Sequence, residues 1–250
     1  MKEIKRILDR FDGLMEDKSF DEAERLLTYW INECEADDDK RNRFTLLNEL
    51  VGFYRMTAEN ISGMNACEKL LKAVESMELG EKVSGATAFI NAATAYKSFG
   101  YADRAILLYE KAKVVYERDL EQSDDRLPAL YNNMALALMD LKTGSGNLEK
   151  ALGYFEKALG LLQAKKQSEN EQAITYLNLA DLAYIKLGAE ASESLIEEYV
   201  QKAYELLLKS YEERHPDFRM TAEKCIPVIR HYGYFAMANI LQEKIEENKK

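Results

Sequence analysis

Asparagine recurs at Asn48, Asn91, Asn133 and Asn178, at separations of 43, 42 and 45 residues, each time within a similar apolar pattern. A self-similar period of this size limits the possible folds severely. One such unit cannot bury its apolar face alone, so successive units must stack into a solenoid. Within a unit the periodicity is helical. Between Thr87 and Ala112, Phe89, Ala92, Ala93 and Tyr96 form one stripe, Gly100 is placed to end that helix, and Ala105, Tyr109 and Ala112 form a second stripe. Small residues let two helices approach closely and aromatic rings fill the gaps, which describes a helical hairpin.

The same reading extends along the chain. Leu46, Val51 and Phe53 precede Ala66, Leu70 and Ala73, with the turn expected over Asn60–Asn65. Tyr131, Met134, Ala135 and Leu138 precede Ala151, Phe155 and Ala158, with Thr143-Gly144-Ser145-Gly146-Asn147 between them. Leu177, Ala180, Ala183 and Leu187 lead to Gly188, and a loop is expected before Val200, Ala203 and Leu207. Phe218, Ala222, Ile226 and Ile229 lead to Gly233, then Ala238 and Leu241, with Lys224 at the asparagine place. A weaker hairpin (Ile4, Ile7, Leu8, Phe11; then Leu26, Leu27, Trp30) opens the chain, as expected of a terminal repeat. The expectation is one all-α domain over 1–250, with hairpins near 1–36, 42–80, 84–120, 127–165, 171–212 and 216–248.

Composition narrows the function. Only 3 Pro and 12 Gly are present, too few turn residues for a sheet protein of this length. With 34 basic against 44 acidic residues, the net charge of −10 disfavours nucleic acid as a partner. No apolar run follows the charged start and none reaches about 18 residues, so neither a signal peptide nor a membrane span is expected, and a cytoplasmic protein is. Cys34, Cys67 and Cys225 are odd in number and widely spaced, which suits reduced thiols.

The spacing Ala93, Tyr96, Gly100 followed by Ala105, Tyr109, Ala112, with its echo in Ala151, Phe155 and Ala158, resembles the tetratricopeptide (TPR) repeat. The period exceeds the usual 34 or so residues of that repeat. The longer class resembles the repeats of kinesin light chains, and Tyr131-Asn132-Asn133-Met134-Ala135 and His215-Pro216-Asp217 are similar to local motifs of that class. The resemblance implies a right-handed superhelical solenoid of about five to six antiparallel hairpins. It also implies that the first helix of each hairpin lines a concave groove holding an extended protein or peptide partner.

An asparagine amide both donates and accepts, so Asn48, Asn91, Asn133 and Asn178 suit contact with a ligand backbone. They equally suit bonding a neighbouring helix to hold the stack. One or two turns on, Tyr54 and Arg55, Thr94 and Lys97, and Asp181 and Tyr184 are expected in the same groove, with Met139, Asp140, Arg230 and His231. Lys97 stands in the second unit and Lys224 and Arg230 in the fifth, too far apart to clamp one carboxylate.

Apparent catalytic motifs read as architecture. His215-Pro216-Asp217 matches the J-domain tripeptide but lacks the basic helix before it, so Pro216 and Asp217 are read as a helix start. Thr143-Gly144-Ser145-Gly146 lacks the Gly-Lys-Ser/Thr of a phosphate loop. No enzyme, cofactor or metal is expected. A peptide-sensing regulator resembling bacterial quorum-sensing proteins, or a self-associating subunit that uses Trp30, Tyr232, Tyr234 and Phe235, remain alternatives to a simple scaffold.

Overall fold

The computed structural model describes residues 4–141 and 146–247. Among them are twelve α-helices: α1 (Ile4–Glu16), α2 (Phe20–Ala36), α3 (Lys40–Met56), α4 (Asn60–Ser76), α5 (Val83–Ser98), α6 (Ala102–Asp119), α7 (Arg126–Asp140), α8 (Asn147–Gln163), α9 (Glu169–Leu187), α10 (Ala189–Glu212), α11 (Phe218–His231) and α12 (Phe235–Glu247). They gather into two compact units, Met1–Leu120 and Glu121–Lys250. The expected turn residues Thr143, Gly144 and Ser145 lie outside the described residues.

One capping device closes many of the helices. The second residue after the helix turns left-handed, and the next N–H reaches back five residues to a carbonyl. Thus Gly100 (φ +86) precedes Tyr101 N–H donating to Tyr96 C=O at 2.8 Å, and Gly233 (φ +87) precedes Tyr234 N–H donating to Ile229 C=O at 3.2 Å. Lys18, Asp38 and Ala58 take the same place without being glycine, at φ 56, 52 and 58. A side chain there costs roughly 1–2 kcal/mol, which the surrounding bonds offset.

This capping moves two expected boundaries. The turn after α3 is residues 57–59, closed by Glu59 N–H on Tyr54 C=O, and Asn60–Asn65 belongs to α4. Gly63 is no turn glycine: it is buried within α4 where the Phe99 ring packs on its Cα. Nor does a long loop follow Gly188. That residue (φ +79) alone separates α9 from α10, whose 24 residues run on from Ala189. Ser192, fully buried, donates its hydroxyl to the Gly188 carbonyl at 2.6 Å and pins the junction.

The buried stripes are those of the sequence. In the first unit Ala92, Ala93, Ala105, Tyr109 and Ala112 are fully buried between α5 and α6. In the second unit Ala135, Ala151, Phe155 and Ala158 are fully buried between α7 and α8. Leu187, expected on the α9 stripe, is instead 45% exposed, because the helix ends beside it. First helices also pack side by side, α3 with α5 in one unit and α9 with α7 and α11 in the other. Ion pairs tie the end of a second helix to the start of its own first helix: Arg118 to Glu81 at 2.9 Å, Lys165 to Asp125 at 2.6 Å and Lys209 to Glu169 at 2.6 Å. Each places an acid near a helix N-terminus and a base near a C-terminus, as the dipoles favour.

Candidate functional site

The first helices place the asparagines half-buried, neither in the core nor free on the surface. In the N-terminal unit two of them meet. Asn91 Nδ2 on α5 donates to Asn48 Oδ1 on α3 at 2.9 Å, and Asn48 Nδ2 donates to Phe44 C=O at 2.9 Å. This pair therefore spends part of its bonding capacity on the stack. One turn on, the Thr94 hydroxyl lies 2.9 Å from that of Tyr109 on α6 and also donates to Ile90 C=O at 2.8 Å. Burial pushes the Tyr109 hydroxyl up to about 12, against the opposing pull of the Thr94 hydrogen bond and the nearby Arg55 charge. Arg55 is exposed seven residues after Asn48, on the same helical face. Lys97 is half-buried.

Tyr54 points elsewhere. It is 7% exposed, and its hydroxyl donates to Glu24 Oε1 on α2 at 2.6 Å. Six residues from Asn48 is about 120° round the helix. Tyr54 accordingly lines a small cavity of about 190 Å³ with Thr28, Asn32, Ser62, Asn65 and Lys69, between α2 and α4. Burial and the Glu24 carboxylate both raise its phenol.

In the C-terminal unit Asn133 is half-buried on α7, and the helix-to-helix bond is made one residue earlier, by Asn132 Nδ2 to the Thr175 hydroxyl on α9 at 2.9 Å. Asn178 differs: its amide nitrogen is buried and, among the described residues, meets no acceptor. Three residues on, Asp181 Oδ1 accepts the Tyr232 hydroxyl from the end of α11 at 2.6 Å. The ring of Tyr184, 44% exposed, stands edge-on to that of Tyr232 with centroids 6.2 Å apart. Burial, the Asp181 hydrogen bond and charge, and Tyr184 all raise the Tyr232 phenol. Arg230 reaches Asn239 at 3.2 Å, and Lys224 is exposed on α11.

Asn48 and Asn91 thus come together directly, Arg55 and Thr94 share the neighbourhood of Tyr109, and Asp181 and Tyr184 meet through Tyr232. Sequence reasoning did not assign Tyr232, Asn132 or Thr175 to this face. The 43-residue separation of Asn132 from Thr175, matching the asparagine period, is the signal that could have found that pair.

His215 belongs to a separate polar cluster. Ser210 donates to Asn170 Oδ1 at 2.7 Å, which orients the Asn170 amide toward His215 Nδ1 at 3.0 Å. Asp217 N–H also approaches that nitrogen, at 3.2 Å. Pro216 occupies a tight turn closed by Phe218 N–H on His215 C=O at 3.1 Å, ahead of α11 and not in its first turn. Among the described residues no group of three or more His, Cys, Asp or Glu side chains is arranged to hold a metal, and no helix is long and apolar enough to cross a membrane.

Solved structures share this arrangement of hairpins. A structure of nearly identical TPR-like repeats from a candidate kinesin light chain of Podosopora anserina is 17% identical, covering 82% of this chain and 94% of its own, with a TM-score of 0.55. BtubC (BKLC) from P. vanneervenii is 17% identical, covering 99% of this chain and 91% of its own, with a TM-score of 0.58. The fold is that of a TPR-like helical repeat. No family model matches the sequence, and no curated protein does. At this identity the likeness concerns fold, and what the faces hold must come from their own chemistry.

Proposed function

We propose that the chain is a non-catalytic scaffold whose first-helix faces hold a protein or peptide partner, with Asn48, Asn91, Asn133 and Asn178 contacting its backbone. Repeat solenoids offer extended surfaces for this purpose, and TPR-like folds generally serve as protein-binding scaffolds. The observation that carries the reading is the repeat fold, whose first helices return a half-buried asparagine at Asn48, Asn91, Asn133 and Asn178, each amide able both to donate to and accept from an extended backbone. Arg55, Lys97, Asp181 and Tyr184 would supply side-chain contacts beside the amides. A cytoplasmic setting is part of the same proposal.

The Asn91–Asn48 bond favours a second role in the N-terminal unit, holding α3 against α5. Panning a random peptide library against the wild type and the Asn91→Ala/Asn133→Ala and Asn178→Ala variants separates the two. Binding lost at nearly unchanged thermal stability supports the ligand role. Unchanged binding with a marked loss of stability refutes it in favour of stacking.

A further inference from the structure

We infer that the cluster of Asp181, Tyr184 and Tyr232 is a subsite for the cationic head of a lysine or arginine side chain carried by the partner; the inference rests on the scaffold reading and names the chemistry of one of its sites. Three observations on the C-terminal unit converge. Asp181 is only half-buried, and its Oδ1 takes the Tyr232 hydroxyl at 2.6 Å while, among the described residues, its other oxygen accepts no hydrogen bond. Tyr184, 44% exposed and one turn along α9 from Asp181, holds its ring edge-on, at an interplanar angle of 64°, to that of Tyr232, whose hydroxyl meets the carboxylate. A ring face and a carboxylate both attract a cation, and guanidinium or ammonium satisfies them together.

Among the described residues no lysine or arginine pairs with Asp181 or lies over the Tyr184 or Tyr232 ring, while the His231 ring stands edge-on to Tyr232 with centroids 5.1 Å apart. Lys186 on the same helix pairs with Glu149 at 3.5 Å, and Arg230 on α11 is directed to Asn239 at 3.2 Å. Ile185, 53% exposed next to Tyr184, offers apolar surface for the methylene stem of the incoming residue. The net charge of −10 adds a long-range preference for a basic segment over an acidic one.

The test labels the full chain with fluorotyrosine and follows it by ¹⁹F NMR. N-acetyl-arginine methylamide and its uncharged counterpart N-acetyl-citrulline methylamide are titrated separately. The arginine compound should shift the Tyr184 and Tyr232 resonances saturably, and the citrulline compound should not. Asp181→Asn keeps an acceptor for Tyr232 but removes the charge, and it should weaken the response by about ten-fold. Tyr184→Leu, at an exposed position, should weaken it too with the other tyrosine signals in place. Equal responses to the two compounds, or an Asp181→Asn titration like the wild type, overturn the inference. The peptide library distinguishes failures: selected peptides without basic residues would overturn this subsite and leave the scaffold standing. A saturable arginine response without any library binding would do the opposite.

Discussion

Four helical glycines give a test in which sequence and tertiary structure disagree in sign. Helix propensity alone says that Gly→Ala within a helix stabilises by about 1 kcal/mol. For Gly153 and Gly160 on α8 a Cβ would meet nothing within 4 Å, so that gain should appear. At Gly63 a Cβ would lie 2.6 Å from Phe99 Cε2 and overlap the rest of the ring edge. Overpacking of this kind costs roughly 1–3 kcal/mol, so Gly63→Ala should lose about 1 kcal/mol net. At Gly85 the obstacle is backbone, the Leu79 carbonyl, with its carbon 2.6 Å away. That carbonyl also accepts Lys82 N–H at 2.9 Å, so the turn cannot easily give, and Gly85→Ala should lose about 2 kcal/mol or more. Urea unfolding followed by circular dichroism reads the series. With a slope of roughly 3 kcal/mol/M, each kcal/mol moves the midpoint by about 0.3 M. Adding Phe99→Leu to Gly63→Ala should return most of the loss, which locates the clash. The reasoning fails if Gly63→Ala and Gly85→Ala raise the midpoint as Gly153→Ala does.

Asn170, 1% exposed and bonded to both Ser210 and His215, should lose about 2–3 kcal/mol of stability as Asn170→Leu, whereas Ser210→Ala, removing one partner, should lose about 1–2 kcal/mol in the same urea assay. Asn91→Ala, which leaves Asn48 Oδ1 to solvent, should cost only about 0.5–1.5 kcal/mol, and a loss of 3 kcal/mol or more would mean a larger share in the stack. Burial pushes the thiols of Cys67 and Cys225 up to about 12, so iodoacetamide at pH 8 should modify them only after urea unfolding, and labelling of the native chain would contradict the packing around them. Those thiols and the Tyr109 hydroxyl ionise at lower pH in the unfolded chain than in the folded one. Their contribution to stability is therefore full below about pH 8.5–10 and is lost as pH rises toward 12, so the urea midpoint should fall over that window.

The architecture was legible because it is written many times over. Alanine stripes such as Ala105–Ala112 and Ala151–Ala158 recur with aromatic partners at fixed offsets, and helical periodicity needs no long-range information. Turns were legible where glycine carries them, at Gly100 and Gly233, and at Gly188 the helix end was legible but not the direct run into α10. The turn at 57–59 was not, because Ala58 holds φ +58 through a bond closed around it and no residue type announces that. Gly63 misled for the complementary reason: a glycine needed for the approach of Phe99 looks, in a sequence, like one needed for a turn.

The candidate site divides along the same line. By itself the sequence determined the helices, their pairing and the spacing that returns an asparagine to the same place in four successive hairpins, since all three follow from local periodicity. Only the tertiary structure decided what those places face. It gave Asn91 to Asn48, turned Tyr54 away to Glu24, and brought Tyr232 from the end of α11 onto Asp181 of α9. These pairings join residues 30 to 51 positions apart. They depend on the rotation of each helix about its axis against its neighbour, which is set by how the buried side chains interlock and which no local pattern records.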